Sequence, residues 1–365
     1  MENTEVVKVV KDCFKEAEEA RRERMRLSKI NRDASNNVQN FDHKQEGQST
    51  EFLPRTNSAV QQFKAFIKRG LIQFGNWFDM EMPEDSPIDS EEARYILTEF
   101  LNTLPVSLFN QDSTTIAHVL SDGAEVGLLE SLIIMKVHGF KRKKPQFNFE
   151  KGETETKLEP WSLAIDLIKP EDYYPDPTGR RLYEIHRVER DLVDVVRLAD
   201  QGVYDKEVVA DIVISMEKHD LESTQRKKEL KQDEKPPQFR KKVVIDEFWG
   251  TIIKDGEVIH ENIVCTIAND SYLIRKPTKN PFWHGGSPFV AGPLIRVPFS
   301  VWHKALADNF VPLNFAANEM FNLMLDGGLA SVWGVSQVRP GYLEDARQVS
   351  NGIQQGMTLV VNDSA

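Results

Sequence analysis

Apolar positions follow a helical period up to about residue 130 and then break into short runs typical of strands. Residues 1–33 carry Val6, Val10, Phe14 and Ala17 at spacings of four, four and three, which predicts one helix with a narrow apolar stripe. The stretch EEARRERMR that follows is charged on every side, so this helix is either solvated or an arm that packs on a neighbouring subunit. Residues 31–51 have no apolar period and read as a loop or linker. Thr56 or Asn57 can cap a second helix bearing Val60, Phe63, Phe66, Ile67 and Leu71. After Trp77, Phe78, Met80 and the acidic loop MPEDSPIDS, Ser90 caps a third, with Ala93, Ile96, Leu97, Phe100, Leu101 and Leu104 inward and Pro105 ending it. Another helix starts near Asp112-Ser113 and carries Ile116, Ala117, Val119 and Leu120.

Beyond Gly127 the pattern changes. Residues 132–138, LIIMKVH, form a buried-strand run closed by Lys141, Arg142, Lys143 and Lys144, a basic loop that is either solvated or faces DNA or a partner. Residues 163–168 and 182–188 read as strands around the turn Asp176-Pro177-Thr178-Gly179. Asp191 caps a short helix that Gly202 closes. Residues 217–242 are charged, contain Pro236-Pro237 and read as a flexible excursion. Residues 243–253 and 257–267 form a hairpin around Asp255-Gly256, and residues 271–275 extend the sheet. In KPTKNPFWHGGSPFVAGPLIRVP, Pro and Gly argue against any regular element.

The last long helix has two distinct sides. Leu306, Phe310, Leu313, Ala317, Met320 and Met324 are spaced for a seam against another helix. Opposite them, Asn314, Asn318, Asn322 and Asp326 recur every four residues, either as a solvated face or as amides in search of partners. Pro312 starts or kinks the helix, and Gly327-Gly328 is expected to end it. Residues 332–338 and 357–361 read as strands. The fold class is therefore α+β, with helices at residues 52–130 and mixed or antiparallel strands at 131–302.

Composition narrows the function. The chain has 365 residues and a formal net charge of −11, which argues against a broad basic surface for gripping nucleic acid. With two cysteines, Cys13 and Cys265, it carries neither a disulfide framework nor a thiolate metal site. No apolar run is long enough for a membrane span, and the N-terminus has no signal-peptide core, so the expected site of synthesis is cytoplasmic. Phosphate-binding, nucleophile-elbow and dinucleotide motifs are missing from the sequence. His260-Glu261 opens like a zinc-protease helix, but Val264 stands where the second ligand would be. Pro175-Asp176 could open a nuclease motif, yet no acidic-x-Lys follows within the next thirty residues. No catalytic residue, metal site or cofactor is expected.

The ordered segments FLPRTNSAVQQFKAFIKRGLI, DGAEVGLLESLIIMKVHGF, LIKPEDYYPDPTG, ERDLVDVVRLADQGVYD, DEFWGTIIKDGEVIHENIV, NPFWHGGSPFV and PLNFAANEMFNLMLDGGLAS resemble those of the portal (head-to-tail connector) proteins of short-tailed phages. The resemblance spans roughly residues 52–330 and rests on their order, since none is diagnostic alone. It implies a ring of about twelve copies at one capsid vertex, a virion component made in the host cytoplasm. Through that ring double-stranded DNA would be packaged and ejected without sequence-specific binding. Capsid protein, terminase and tail adaptors would be its other partners. It divides the chain into a helical arm and linker (1–51), a wing (52–302, with the insert at 217–242), a stem-like helix (303–330) and the start of a clip (331–365). The apolar seam would face a neighbouring stem, and the Asn row would hydrogen-bond across subunits. Family members continue with a second stem helix, a tunnel loop and a crown, so an incomplete chain is expected. The alternatives are another phage head or tail adaptor protein, or an enzyme whose carboxylates and histidines converge in a cleft.

Overall fold

The computed structural model describes residues 3–44, 47–72, 92, 94–96, 98, 116–140, 143–148, 153–158, 162–216, 241–254 and 256–333. The protein is mixed α+β, and among the described residues every pair of strands runs antiparallel. It splits into two compact units, residues 1–28 with 63–306 and residues 29–62 with 307–365. The first unit thus joins residues 1–28 to 63–306, and the second joins residues 29–62 to the helix that starts at Ala307.

The first unit is organised by a five-stranded sheet in the order β5-β6-β7-β8-β9: β5 Tyr173–Pro175, β6 Tyr183–Asp191, β7 Lys242–Lys254, β8 Glu257–Ala268 and β9 Tyr272–Lys279. Side chains alternate between its faces. On one face Tyr183, Ile185, Phe248, Ile252 and Cys265 form a core with Val6, Val10 and Ala17 of α1 (Asn3–Ser35). The apolar stripe of α1 is thus neither solvated nor reserved for a neighbour, since it covers its own sheet. Each valine buried this way contributes roughly 1.5–3 kcal/mol. Polar groups extend the contact: Arg21 donates to the carbonyls of Pro170 and Tyr173 and lies 3.5 Å over the Tyr174 ring.

The opposite face is covered in two parts. Val243, Ile245, Ala268 and Ile274 pack on Val195 and Ala199 of one helix, Leu192–Asp200, and on Val209 and Ile212 of another, residues 206–216. Trp249 and Val264 pack on a three-stranded sheet in the order β10-β1-β4, made of β1 Leu132–Phe140, β4 Ser162–Ile168 and β10 Phe289–Pro293. A separate hairpin joins β2 Lys143–Asn148 to β3 Glu153–Leu158. Two glycines permit close packing. A Cβ on Gly250, whose φ is +147°, would lie 2.3 Å from the Leu182 carbonyl, at the place where the β7–β8 register shifts. One on Gly127, in the helix Ile116–Glu130, would lie 2.8 Å from Ile133 of β1.

The helices in chain order are α1, α2 (Arg55–Ile72), α3 (Ile116–Glu130), α4 (Leu192–Asp200), α5 (206–216) and α6 (Ala307–Trp333), with further helical residues at 92, 94–96 and 98. Three readings need correction. The Pro- and Gly-rich stretch after residue 275 is regular in part, because β9 reaches Lys279 and β10 pairs with β1. The strand β2 begins within the basic run, at Lys143. Gly327-Gly328 does not end α6, which continues to Trp333, because a glycine costs a helix only about 1 kcal/mol. Most of the helix expected after Ser90, the start at Asp112-Ser113, most of the 217–242 insert, Asp255 and nearly all of the clip segment 331–365 lie outside the described residues. Among the described residues no helix is long and apolar enough to cross a membrane.

Candidate functional site

Two places gather chemistry. In the first unit a cleft of about 1230 Å³ is lined by Lys136, His138, Asp166, His186 and Glu247, among others. Carboxylates and imidazoles do converge here, but their bonding is structural in character. Glu247 accepts from Lys136 Nζ on one oxygen and from Trp249 Nε1 at 3.0 Å on the other, and His186 Nδ1 lies 3.9 Å away. Burial opposes ionisation of Glu247, but Lys136 and His186 overcome it and hold the carboxyl well below the usual range. A carboxylate so firmly ionised is a poor proton shuttle near neutrality, where a general acid or base needs a pKa close to the working pH. Burial also keeps His138 below its ordinary value, against the pull of Asp166 at 3.6 Å. Among the described residues no group of three or more His, Cys, Asp or Glu could hold a metal ion.

The second place is α6 in the second unit. Asn318 and Asn322 are fully buried. Their partners are the extended segment between α1 and α2. Ser49 N donates to Asp326 Oδ1 at 2.8 Å, Glu51 N to Asn322 Oδ1 at 2.9 Å, and Leu53 N to Asn318 Oδ1 at 3.1 Å. Asn322 Nδ2 returns a bond to Glu51 O at 3.0 Å, and Asn318 Nδ2 donates to Gln39 Oε1 at 2.7 Å. Rungs every four residues meet a chain read at every second residue because the two advances agree: about 6.0 Å along a helix and about 6.6 Å along extended backbone. The strap is held further by Lys44, 3.3 Å from Glu319 and donating to the Ser49 carbonyl at 2.7 Å, and by Gln39 Nε2 to Glu319 Oε1 at 3.2 Å. Near the start of α6, Asn31 Nδ2 donates to Asp308 Oδ1 at 2.8 Å.

Asn318, Asn322 and Asp326 all hydrogen-bond within the chain, to the strap. Asn314, 5% exposed, finds no hydrogen-bond partner for either amide atom among the described residues, because α2 begins at Arg55 before the strap reaches it. Gln39, Lys44, Ser49, Glu51 and Leu53 were missed by sequence reasoning. The four-residue period of the Asn row was a signal that partners exist, but the strap itself is patternless.

The other side of α6 is bare. Leu313, Met320 and Met324 are 70%, 66% and 73% exposed, Leu323 is exposed beside them, and Phe310 and Ala317 are half-buried, as is Leu306, which precedes the helix and is not part of it. Two residues along a helix turn it by about 200°, so Met320 and Met324 point away from Asn318 and Asn322. The arc is as wide as the apolar face of an amphipathic helix. A contiguous exposed apolar strip is an uncommon feature of a chain that works alone.

None of the individually curated proteins matches this chain. Residues 53–357 match the family described as phage SU10 portal protein. That span takes in the five-stranded sheet, α2 and the whole of α6. It is most of the sequence, and the chain belongs to this family of phage portal proteins, which are structural components of the virion.

Proposed function

We propose that this chain is a ring-forming portal subunit, one of about twelve around a channel at a single capsid vertex. Double-stranded DNA passes through that channel during packaging and ejection, and the acidic chain guides it without sequence-specific grip. Capsid protein, terminase and tail adaptors dock on the ring, whose subunits are made in the host cytoplasm. Residues 52–302 serve as the wing, α6 as the stem-like helix, and residues 331–365 begin the clip. The protein has no hydrolase or nuclease activity of its own.

The observation that carries this reading is the pairing of faces on α6. One face is closed by the chain's own strap, and the opposite face leaves Leu313, Met320 and Met324 in water. With Leu306, Phe310 and Ala317 these residues form the seam offered to a neighbouring copy. The Asn row acts one step back, by fixing the strap against the helix that carries the seam.

The test is size-exclusion chromatography with light scattering on the full-length protein and on M320S/M324S. The wild type should form a closed oligomer with a central channel in negative-stain images. The double variant should remain folded by circular dichroism and dissociate at concentrations where the wild type is assembled. A double variant that assembles like the wild type would remove the seam from this role.

A further inference from the structure

We infer that Phe299 is an anchor that inserts into the neighbouring copy of this chain. Three observations at this residue point the same way. It sits in the left-handed region, with φ +60°. It follows Pro298 in a turn, at the place where turns with a positive φ ordinarily take glycine. Its side chain is fully exposed, at 110%. A bulky residue in this conformation is a genuine outlier, and an exposed phenylalanine gains nothing from its own fold. Two rules of stable sequence are broken at one position, which is the signature of a site kept for contact rather than for folding.

The loop that presents Phe299 is not loose. Its ends are joined by the bridge between Ile295 and Lys304. Across the turn Val297 N donates to His303 Nδ1 at 3.1 Å, and Ser300 Oγ donates to the Trp302 carbonyl. Trp302 in turn packs against the core between the two larger sheets. A rigid aromatic held clear of its own surface loses little entropy on insertion, which is how interface anchors achieve their effect.

The occupant follows from where the chain goes next. Eight residues after Phe299 α6 begins, at Ala307, and α6 carries the exposed seam assigned above to the subunit interface. A closed ring uses head-to-tail contacts, so every copy presents the same knob to the next copy's socket. The inference therefore rests on the assembly reading given under the proposed function.

The test uses the full-length chain with F299G, F299W and the seam variant M320S/M324S, comparing the concentration of half-assembly and the melting temperature. Glycine suits this backbone, so at concentrations below half-assembly for both proteins F299G should melt at the wild-type temperature or above it, while its half-assembly concentration moves up by at least about tenfold. F299W should assemble like the wild type. Wild-type assembly by F299G, or a lowered melting temperature of the unassembled chain, would overturn the anchor. If the seam variant alone fails to assemble, the anchor is lost and the assembly reading stands. If the wild type stays monomeric at all concentrations, both fall together.

Discussion

Asn322 holds both main-chain polar groups of Glu51, accepting from its N–H at 2.9 Å and donating to its carbonyl at 3.0 Å. A side-chain amide can copy the edge of a β-strand in this way because it carries one acceptor and two donors at strand-like spacing. At this rung the recognition is of backbone alone, whereas Asn318 and Glu319 also engage the Gln39 and Lys44 side chains of the strap.

Removal of a rung should therefore be felt at the strap. Asn322→Ala leaves the Glu51 amide and carbonyl without their partners, at an expected cost of about 1–3 kcal/mol. Asn318→Ala should likewise strip the Leu53 N–H and the Gln39 side-chain oxygen of their partner. Hydrogen exchange at the Glu51 and Leu53 amides checks this. Their protection should drop in the variants while that of β7 is unchanged.

Asn314 has the opposite sign. Its amide is buried and unpaired among the described residues, so Asn314→Leu exchanges an unmet polar group for an apolar one of similar size. The variant should be more stable than the wild type by up to about 1–3 kcal/mol. Denaturant unfolding would show it as a higher midpoint with an unchanged slope. The contrast between Asn314→Leu and Asn318→Leu, adjacent rungs with opposite outcomes, is the sharpest check on the ladder.

The buried pair Lys136–Glu247 predicts a reversal with pH. Glu247 in the folded protein has a depressed pKa, so its contribution is present above the unfolded carboxylate value and is lost as pH falls towards the folded one. Lys136→Met leaves a buried carboxylate without its cation, which should destabilise the unit by roughly 3–5 kcal/mol near neutrality. In that variant the folded pKa of Glu247 rises above the unfolded one, so stability is retained at acid pH and lost as pH rises. Thermal unfolding at pH 3, 5.5 and 7 should show the wild type losing this contribution only between 5.5 and 3, and the variant losing stability between 5.5 and 7.

What the sequence disclosed was decided by where the partners lay. The stripe Val6, Val10 and Ala17 was legible as a stripe, but its destination was not, because Phe248 and Ile252 lie more than two hundred positions away and carry no mark of pairing with it. The hairpin around Gly256 was legible because its signal is local. β10 was hidden by its own composition. It is a five-residue edge strand, where Pro293 is tolerated at the end of the pairing with Leu132. At α6 both faces could be drawn in advance, the apolar seam and the row of amides. The strap could not, since Ser49, Glu51 and Leu53 are bound through their backbone and need no pattern in their side chains.

The ladder also sets a timetable. Glu51 and Asn322 are 271 residues apart, so at roughly 5–20 residues per second the strap leaves the ribosome on the order of tens of seconds before the helix that binds it. Through that interval its backbone has no rung to rest on. The exposed apolar strip lies on the same late helix, so it is synthesised together with the row that fastens the strap. If copies pair through it as proposed above, that pairing is deferred until the two large sheets have been made.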